Sequence, residues 1–363
     1  MASLNRSSSE YDSADDKPRW RRAASALRRA ATAPLTGAEA LYQTGRSYRH
    51  FLLPALNGAI GDQLEARGDH RAIRLSFRRQ GTDVAVADLG LTDGLKRTVV
   101  WVHGLMGDEH IWQTGSPEVP RYGPRLEHDL GVRSLYVRYN SGRHISQNGR
   151  ELSQLLTALV THWPEAISEL VLVGHSMGGL VIRSAGYYGQ QAQAPWLSQL
   201  RQVFLLAVPN EGSFLEQHSF LTALMLRRFD LRLARLLADT IDRRSNGIRD
   251  LRHARLVDED WLNPHADDLL PPRTEVPPLP GVQYHVLAAS LLKNAESWLT
   301  QYFGDGLVGS NSATGSVFKT MPSDLGQVRV QVFSRQHHGT LLANPEVYEY
   351  LRAQLAAARP LPQ

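Results

Sequence analysis

Gly174-His175-Ser176-Met177-Gly178 sets a serine between two glycines, each two positions from it. A serine hydroxyl attacks a carbonyl only when a base takes its proton and hydrogen-bond donors hold the developing oxyanion. The G-x-S-x-G spacing is common by itself, so its surroundings decide its value. Leu170–Val173 is a short apolar run that reads as a buried strand, and Gly179–Tyr188 reads as the amphipathic helix that follows. A serine on a sharp strand-to-helix turn presents its Oγ, and Gly174 and Gly178 flank it because side chains there would collide. The helix start beneath Ser176 also favours negative charge. The plain alternative is a Gly-rich strand–helix turn with no chemistry.

Acyl transfer needs two backbone N–H donors aimed at the oxyanion. One expected donor is Met177, directly after the serine. The other is sought in Val99-Val100-Trp101-Val102-His103-Gly104-Leu105-Met106-Gly107, again a strand running into a tight loop. There Gly104 lets the backbone turn inward and Leu105 offers its N–H. His103 reads as shaping this loop rather than as a base.

The base and its orienting acid are expected after later strands, in the order serine, acid, histidine. Asp305 lies between glycines in Gly304-Asp305-Gly306-Leu307-Val308, after the run Val282–Ala289. The last run, Val328–Phe333, leads into Ser334-Arg335-Gln336-His337-His338-Gly339-Thr340-Leu341-Leu342. Consecutive side chains diverge, so one of His337 and His338 serves Ser176, and the residues alone leave both open. Asp258, Glu259 and Asp260 are rival acids, but they precede the penultimate run and read as cap or surface groups.

The elements that must position these groups follow from hydrophobic patterning. Thr98–Val102, Val132–Val137, Leu170–Val173, Val203–Val208, Val282–Ala289 and Val328–Phe333 are continuous apolar runs, as in strands buried on both faces. Helix-length stretches such as Gly149–Thr161 lie between several of them, and Pro345–Ala357 follows the last. The alternation predicts an α/β fold: a mostly parallel sheet with helices on both faces. Ala72–Arg78 and Val84–Leu89 alternate like an antiparallel hairpin joined through Gln80–Asp83. From about 210 to 280 no strand run occurs. That interval reads as a helical insertion, a candidate cap, with an apolar stripe (Leu221, Leu224, Met225, Phe229, Leu233) suited to plain core or to an acyl pocket.

Through these motifs together, the chain resembles α/β-hydrolase-fold serine lipases and esterases. The likeness rests on V-W-V-H-G-L-M-G, G-H-S-M-G-G, D-G-L-V and H-x-x-L-L, and it is nearest to the bacterial PGAP1-like branch. It spans roughly residues 72 to 358. Ala207–Ser213 and Gly247–Arg252 also look like that branch, although Asn210-Glu211 stands where relatives commonly carry histidines. The resemblance implies a Ser176, Asp305, His338 triad, because the branch's histidine precedes a leucine pair by three and four positions. It implies hydrolysis of a hydrophobic acyl ester through an acyl-enzyme. An acyltransferase or thioesterase would use the same triad, and a non-catalytic binding protein is the reading from another class.

Composition narrows the rest. The 363 residues contain no cysteine, which removes disulfides, thiolate metal sites and cysteine nucleophiles. No H-E-x-x-H-type spacing occurs and the mechanism needs no cofactor, so neither metal nor cofactor is expected. A net charge of +4 is too small a field to imply nucleic acid. The chain divides into a Ser/Asp-rich, then basic, tail over 1–35 and a hydrolase domain over 36–363. Within the tail, Lys17–Ala31 carries basic residues and no acid, with Trp20, Ala23, Ala24, Leu27 and Ala31 at helical spacing. Such a stretch is a solvated tail or makes a peripheral contact with an anionic membrane. Without an apolar run of about 18 residues or a secretory core, a cytoplasmic location is expected, with or without peripheral membrane contact.

Overall fold

Strand runs that are apolar at consecutive positions must have both faces covered; Thr98–Val102, Leu170–Val173 and Val203–Leu206 are buried at every position, whereas Val328–Ser334 leaves Arg329 and Val330 exposed. In the computed structural model, which describes residues 49–112, 122–210, 245–266, 268, 271–290, 328–334 and 340–357, eight strands form one sheet. They are β1 (Ser76–Arg79), β2 (Thr82–Val84), β3 (Arg97–Val102), β4 (Arg133–Arg138), β5 (Glu169–His175), β6 (Leu200–Leu206), β7 (Gln283–Ser290) and β8 (Val328–Ser334). Their order is β2-β1-β4-β3-β5-β6-β7-β8. β1 is antiparallel to both neighbours, and β4 through β8 are parallel.

The side-chain period of two splits the core into two layers. Val100, Val102, Leu170, Leu172, Val203 and Leu205 face one of them. Val99, Trp101, Val171, Val173, Phe204 and Leu206 face the other. The first layer is covered by α3 (Ile145–His162) and α4 (Met177–Gln191) through Leu152, Leu156, Leu180 and Val181. The second is covered by α2 (Tyr122–Leu130) and α7 (Pro345–Ala357) through Leu126, Leu351 and Leu355. The chain has the α/β-hydrolase fold.

Chain order reverses beside β3, which lies between β4 and β5. In open parallel sheets, ligands bind outside the carboxyl ends of strands at such a reversal. The loop after β3 and the turn after β5 therefore emerge side by side where a site is expected.

Three elements differ from the sequence reading. The hairpin is tighter: Arg79 pairs with Thr82, and Gln80 (φ 50) and Gly81 (φ 79) form a two-residue turn in the left-handed region. Both positive angles match the right-handed strand twist. Its second strand ends at Val84, and Val86–Leu89 is a 3-10 turn that sends Leu89 into the core. The third difference is α1 (Arg49–Ala66), to which patterning assigned no element. It contains Pro54, bends at Ile60 (φ −143, ψ 22), and buries the small Ala55 and Ala59 rather than a broad apolar stripe.

Of the 210–280 interval, 211–244 lies outside the described residues and with it the leucine-rich stripe. The described remainder holds α5 (Asn246–His253) and α6 (Asp258–Leu262). Leu251, Leu256, Val257, Val276 and Leu279 belong to the same core layer as α3 and α4. The 1–35 tail also lies outside the described residues. Among the described residues, no helix is long and apolar enough to cross a membrane.

Candidate active site

The carboxyl end of β5 meets α4 in a single residue, Ser176, at φ 53, ψ −125. An L-residue in that region costs on the order of 1–3 kcal/mol and persists only where neighbours over-determine it. Here the Ser176 N–H donates to Leu206 O on β6 (2.9 Å), and Ser176 O accepts from Gly179 N (3.0 Å). Its hydroxyl makes no capping bond to the helix it precedes, so Oγ is not committed to α4. Left-handed non-glycine residues recur along this edge: Met106, Ser176 and Ala207 follow β3, β5 and β6.

The glycines predicted to relieve crowding do so. A methyl group on Gly178 would lie 2.3 Å from His103 O and 2.4 Å from Val102 O. One on Gly174 would lie 2.6 Å from Gly179 N. At Gly104 the nearest atoms would be His175 O and Ser176 Cβ, both at 3.1 Å. The loop after β3 is thus packed directly against the serine, as the pairing of these two motifs required.

The two expected donors are placed differently. Met177 is the first residue of α4, where an N–H has no partner within its own helix. In the loop, Met106 N donates to Ser141 Oγ (3.0 Å), and Gly107 N to Gly104 O (3.1 Å). Among the described residues no acceptor meets the N–H of Leu105.

His103 is buried and occupied on both ring nitrogens. Tyr139 N donates to its Nε2 (3.1 Å), so the proton sits on Nδ1, which donates to Gly104 O (2.8 Å). The Tyr139 ring stacks on it at 4.2 Å, and the Tyr139 hydroxyl donates to His103 O (2.8 Å). Burial pushes the imidazole down to about 4, so it stays neutral and holds the loop. Sequence reasoning found His103 but missed Tyr139 and Ser141. Their only signal is a Tyr-Asn-Ser run directly after a strand.

Asp305, His337 and His338 lie outside the described residues. The strands before them are described: β7 and β8 run parallel to β5, so their carboxyl ends lie on the Ser176 edge. The predicted leucine pair, Leu341 and Leu342, is buried in the second core layer. Tyr122 Oη donates to Leu341 O (2.7 Å) and accepts from Asn344 N (2.9 Å), fixing where the chain re-enters after the histidines.

The rival acids serve elsewhere. Asp260 is buried and accepts from Leu256 N, Val257 N and Thr274 N. Asp258 pairs with Arg150. A further buried pair escaped the sequence: His144 Nδ1 lies 2.9 Å from Asp250 Oδ2, with the imidazole stacked on Trp261 at 3.9 Å. Asp250 also accepts from Ile145 N (2.9 Å), so it closes the start of α3. The neighbouring serine, Ser146, accepts from Trp261 Nε1 (3.0 Å).

One cluster could suggest a cation: Asp108, Glu109 and His110 bring ligand atoms within 4.8 Å of one another. Arg78 and Arg138 already neutralise it. These residues do not fit a metal.

No family model matches the chain, and no curated protein does. Among solved structures it is similar to the mature lipase BlEst2 of Bacillus licheniformis, at 18% identity over 72% of this chain and 93% of that one, TM-score 0.45. It is similar to a thermophilic esterase from Thermogutta terrifontis, at 15% identity over 72% and 90%, TM-score 0.40. A third is the thioesterase RedJ of prodiginine biosynthesis in Streptomyces coelicolor, at 16% identity over 73% and 91%, TM-score 0.41.

Proposed function

We propose that the protein is a serine carboxylic-ester hydrolase of lipase or esterase type, acting on a hydrophobic acyl ester. One observation carries the reading. Ser176 is held in a strained turn between a buried strand and a helix start, with Gly104 packed against its Cβ. Strain of this kind is retained where a side chain must be presented. The motifs that resemble the bacterial PGAP1-like branch support assigning the triad to Ser176, Asp305 and His338.

In this mechanism His338 removes the Ser176 proton as Oγ attacks the ester carbonyl, and Asp305 orients and stabilises the imidazolium. The carbonyl electrons move to the oxyanion, held by the N–H groups of Leu105 and Met177. Collapse expels the alcohol, which takes the proton from His338. Water, deprotonated by the same histidine, then releases the acid and restores Ser176.

The test is cleavage of p-nitrophenyl esters of graded chain length, together with labelling by a fluorophosphonate read by intact mass. Wild type should cleave and label. Ser176→Ala should lose at least about 10³-fold in kcat and take no label. His338→Ala should be nearly inactive while His337→Ala retains most activity. Full activity in Ser176→Ala would overturn the nucleophile, and the reverse histidine pattern would move the base to His337.

A further inference from the structure

The loop after β3 ends in a short helical turn, Glu109–Trp112, that carries a buried carboxylate. Glu109 is 1% exposed. Its Oε1 accepts from Arg78 Nε (3.0 Å) and Arg138 Nη2 (2.8 Å), and its Oε2 from Arg138 Nε (2.7 Å). Arg138 closes β4 and Arg78 lies in β1, the two strands on the far side of β3 from Ser176. Asp108 joins the group through Arg138 and through His110, whose pKa it raises. The turn then ends in Trp112, which packs against Trp101 and meets His175, the residue before Ser176, edge-on at 6.4 Å.

Buried ion pairs are poor stabilisers, because desolvation offsets most of their attraction, and apolar replacements of similar volume are often as stable. What the bidentate Arg–carboxylate fork supplies is a defined distance and orientation. Here the fork ties one end of the segment Gly104–Trp112 to two strands of the sheet, while His103 ties the other end to Tyr139. Leu105 lies between these anchors.

We propose that Glu109, gripped by Arg78 and Arg138, is a positioning residue that sets where the loop presents the Leu105 N–H to the oxyanion. This rests on the esterase reading for its chemistry but not for its whole test. Glu109→Gln keeps the size and puts an amide donor against a guanidinium, so the fork breaks while the turn stays filled.

Three measurements compare it with wild type: ester kcat and KM, the affinity of an alkyl boronic acid, and hydrogen exchange of the Leu105–Gly107 amides. The variant should lose roughly 10- to 100-fold in kcat with KM within about twofold. Boronate affinity should fall by a similar factor, because only the tetrahedral adduct places an anionic oxygen in the hole. Exchange at Leu105–Gly107 should quicken, while amides in β5 and β6 keep their protection. Glu109→Asp, which keeps the charge, should recover part of the loss. Unchanged exchange at Leu105–Gly107 overturns the proposal, as does a kcat loss accompanied by unchanged boronate affinity. If wild type cleaves no ester, the esterase reading fails separately. The exchange comparison still decides whether Glu109 positions the loop.

Discussion

Gly178→Ala is a small perturbation aimed at the joint between the two halves of the site. The added methyl group would lie 2.3 Å from His103 O and 2.4 Å from Val102 O, both backbone atoms at the end of β3. A carbon and a carbonyl oxygen in comfortable contact stand about 1 Å further apart, and neither side has a rotamer that can yield. The start of α4 must therefore retreat from β3 by about that distance, carrying Met177 away from Leu105. Misplacement by about 1 Å in such a site costs on the order of 10²-fold, or about 2.7 kcal/mol of transition-state stabilisation. The same overlap should destabilise the fold by about 1–3 kcal/mol. Gly186→Ala in the same helix is the control. The nearest atoms its methyl would meet all belong to the Leu279 side chain, Cδ1 at 3.2 Å and Cγ at 3.4 Å, which can shift, so activity should hold and stability should stay level or rise by up to about 1 kcal/mol. The assay is kcat on a soluble ester, with the fluorophosphonate labelling rate alongside and urea unfolding for stability. Wild-type kcat in Gly178→Ala would refute the claim that contact between α4 and the β3 loop sets the oxyanion donors.

Two further outcomes are expected. His103 and His285 are buried as neutral imidazoles, pushed down to about 4 and about 3 mainly by desolvation. The unfolded chain takes up a proton near pH 6.5 and the folded chain does not, so their contribution is complete above 6.5 and is lost as pH falls. Between pH 7 and pH 5 the unfolding free energy should drop by about 3–4 kcal/mol in total. His110, raised by Asp108, works in the opposite sense and trims that figure, while the lowered carboxylates such as Asp69 act at lower pH. Urea unfolding with a flat response between pH 7 and 5 would contradict this. Separately, deleting residues 1–35 should leave turnover of a soluble ester unchanged, and any sedimentation of the full chain with anionic vesicles should be lost with the tail. Sedimentation that survives the deletion would rule out the 17–31 stretch as the membrane contact.

What could be read from the sequence divides along a physical line. The buried strands were legible because a strand covered on both faces must be apolar at consecutive positions, and β3, β5, β6 and β7 all are. Pro345–Ala357 was legible to the residue because its apolar positions keep helical spacing. The α1 helix was not, because it packs through small residues: a methyl on Gly58 would meet Met106, and one on Gly61 would meet Asn140. Close backbone approach leaves no hydrophobic stripe to detect. The end of the second hairpin strand was missed for a related reason: Leu89 is buried by turning out of the strand, and its apolar character looks the same either way.

The same line runs through the site. Sharp turns that expose a nucleophile or an amide are local constraints, so their glycines must be sequence neighbours of the reacting residue, and a motif records them. The groups that hold those turns face no such constraint. Tyr139 reaches His103 from 36 positions away, Arg78 reaches Glu109 from 31, and Arg138 from 29. Each comes from a strand, or from the residue directly after one, that the sheet and not the chain places alongside. A side chain with two ring nitrogens cannot declare from its own neighbours whether it will transfer protons or fasten a loop. For His103 the answer is given by Tyr139 N at Nε2 and Gly104 O at Nδ1. With both nitrogens spent on backbone, and the charged form suppressed by burial, proton transfer has no atom left to use. The fold has therefore withdrawn His103 from acid–base chemistry, and the proposed mechanism takes its base from His338, beyond a later strand.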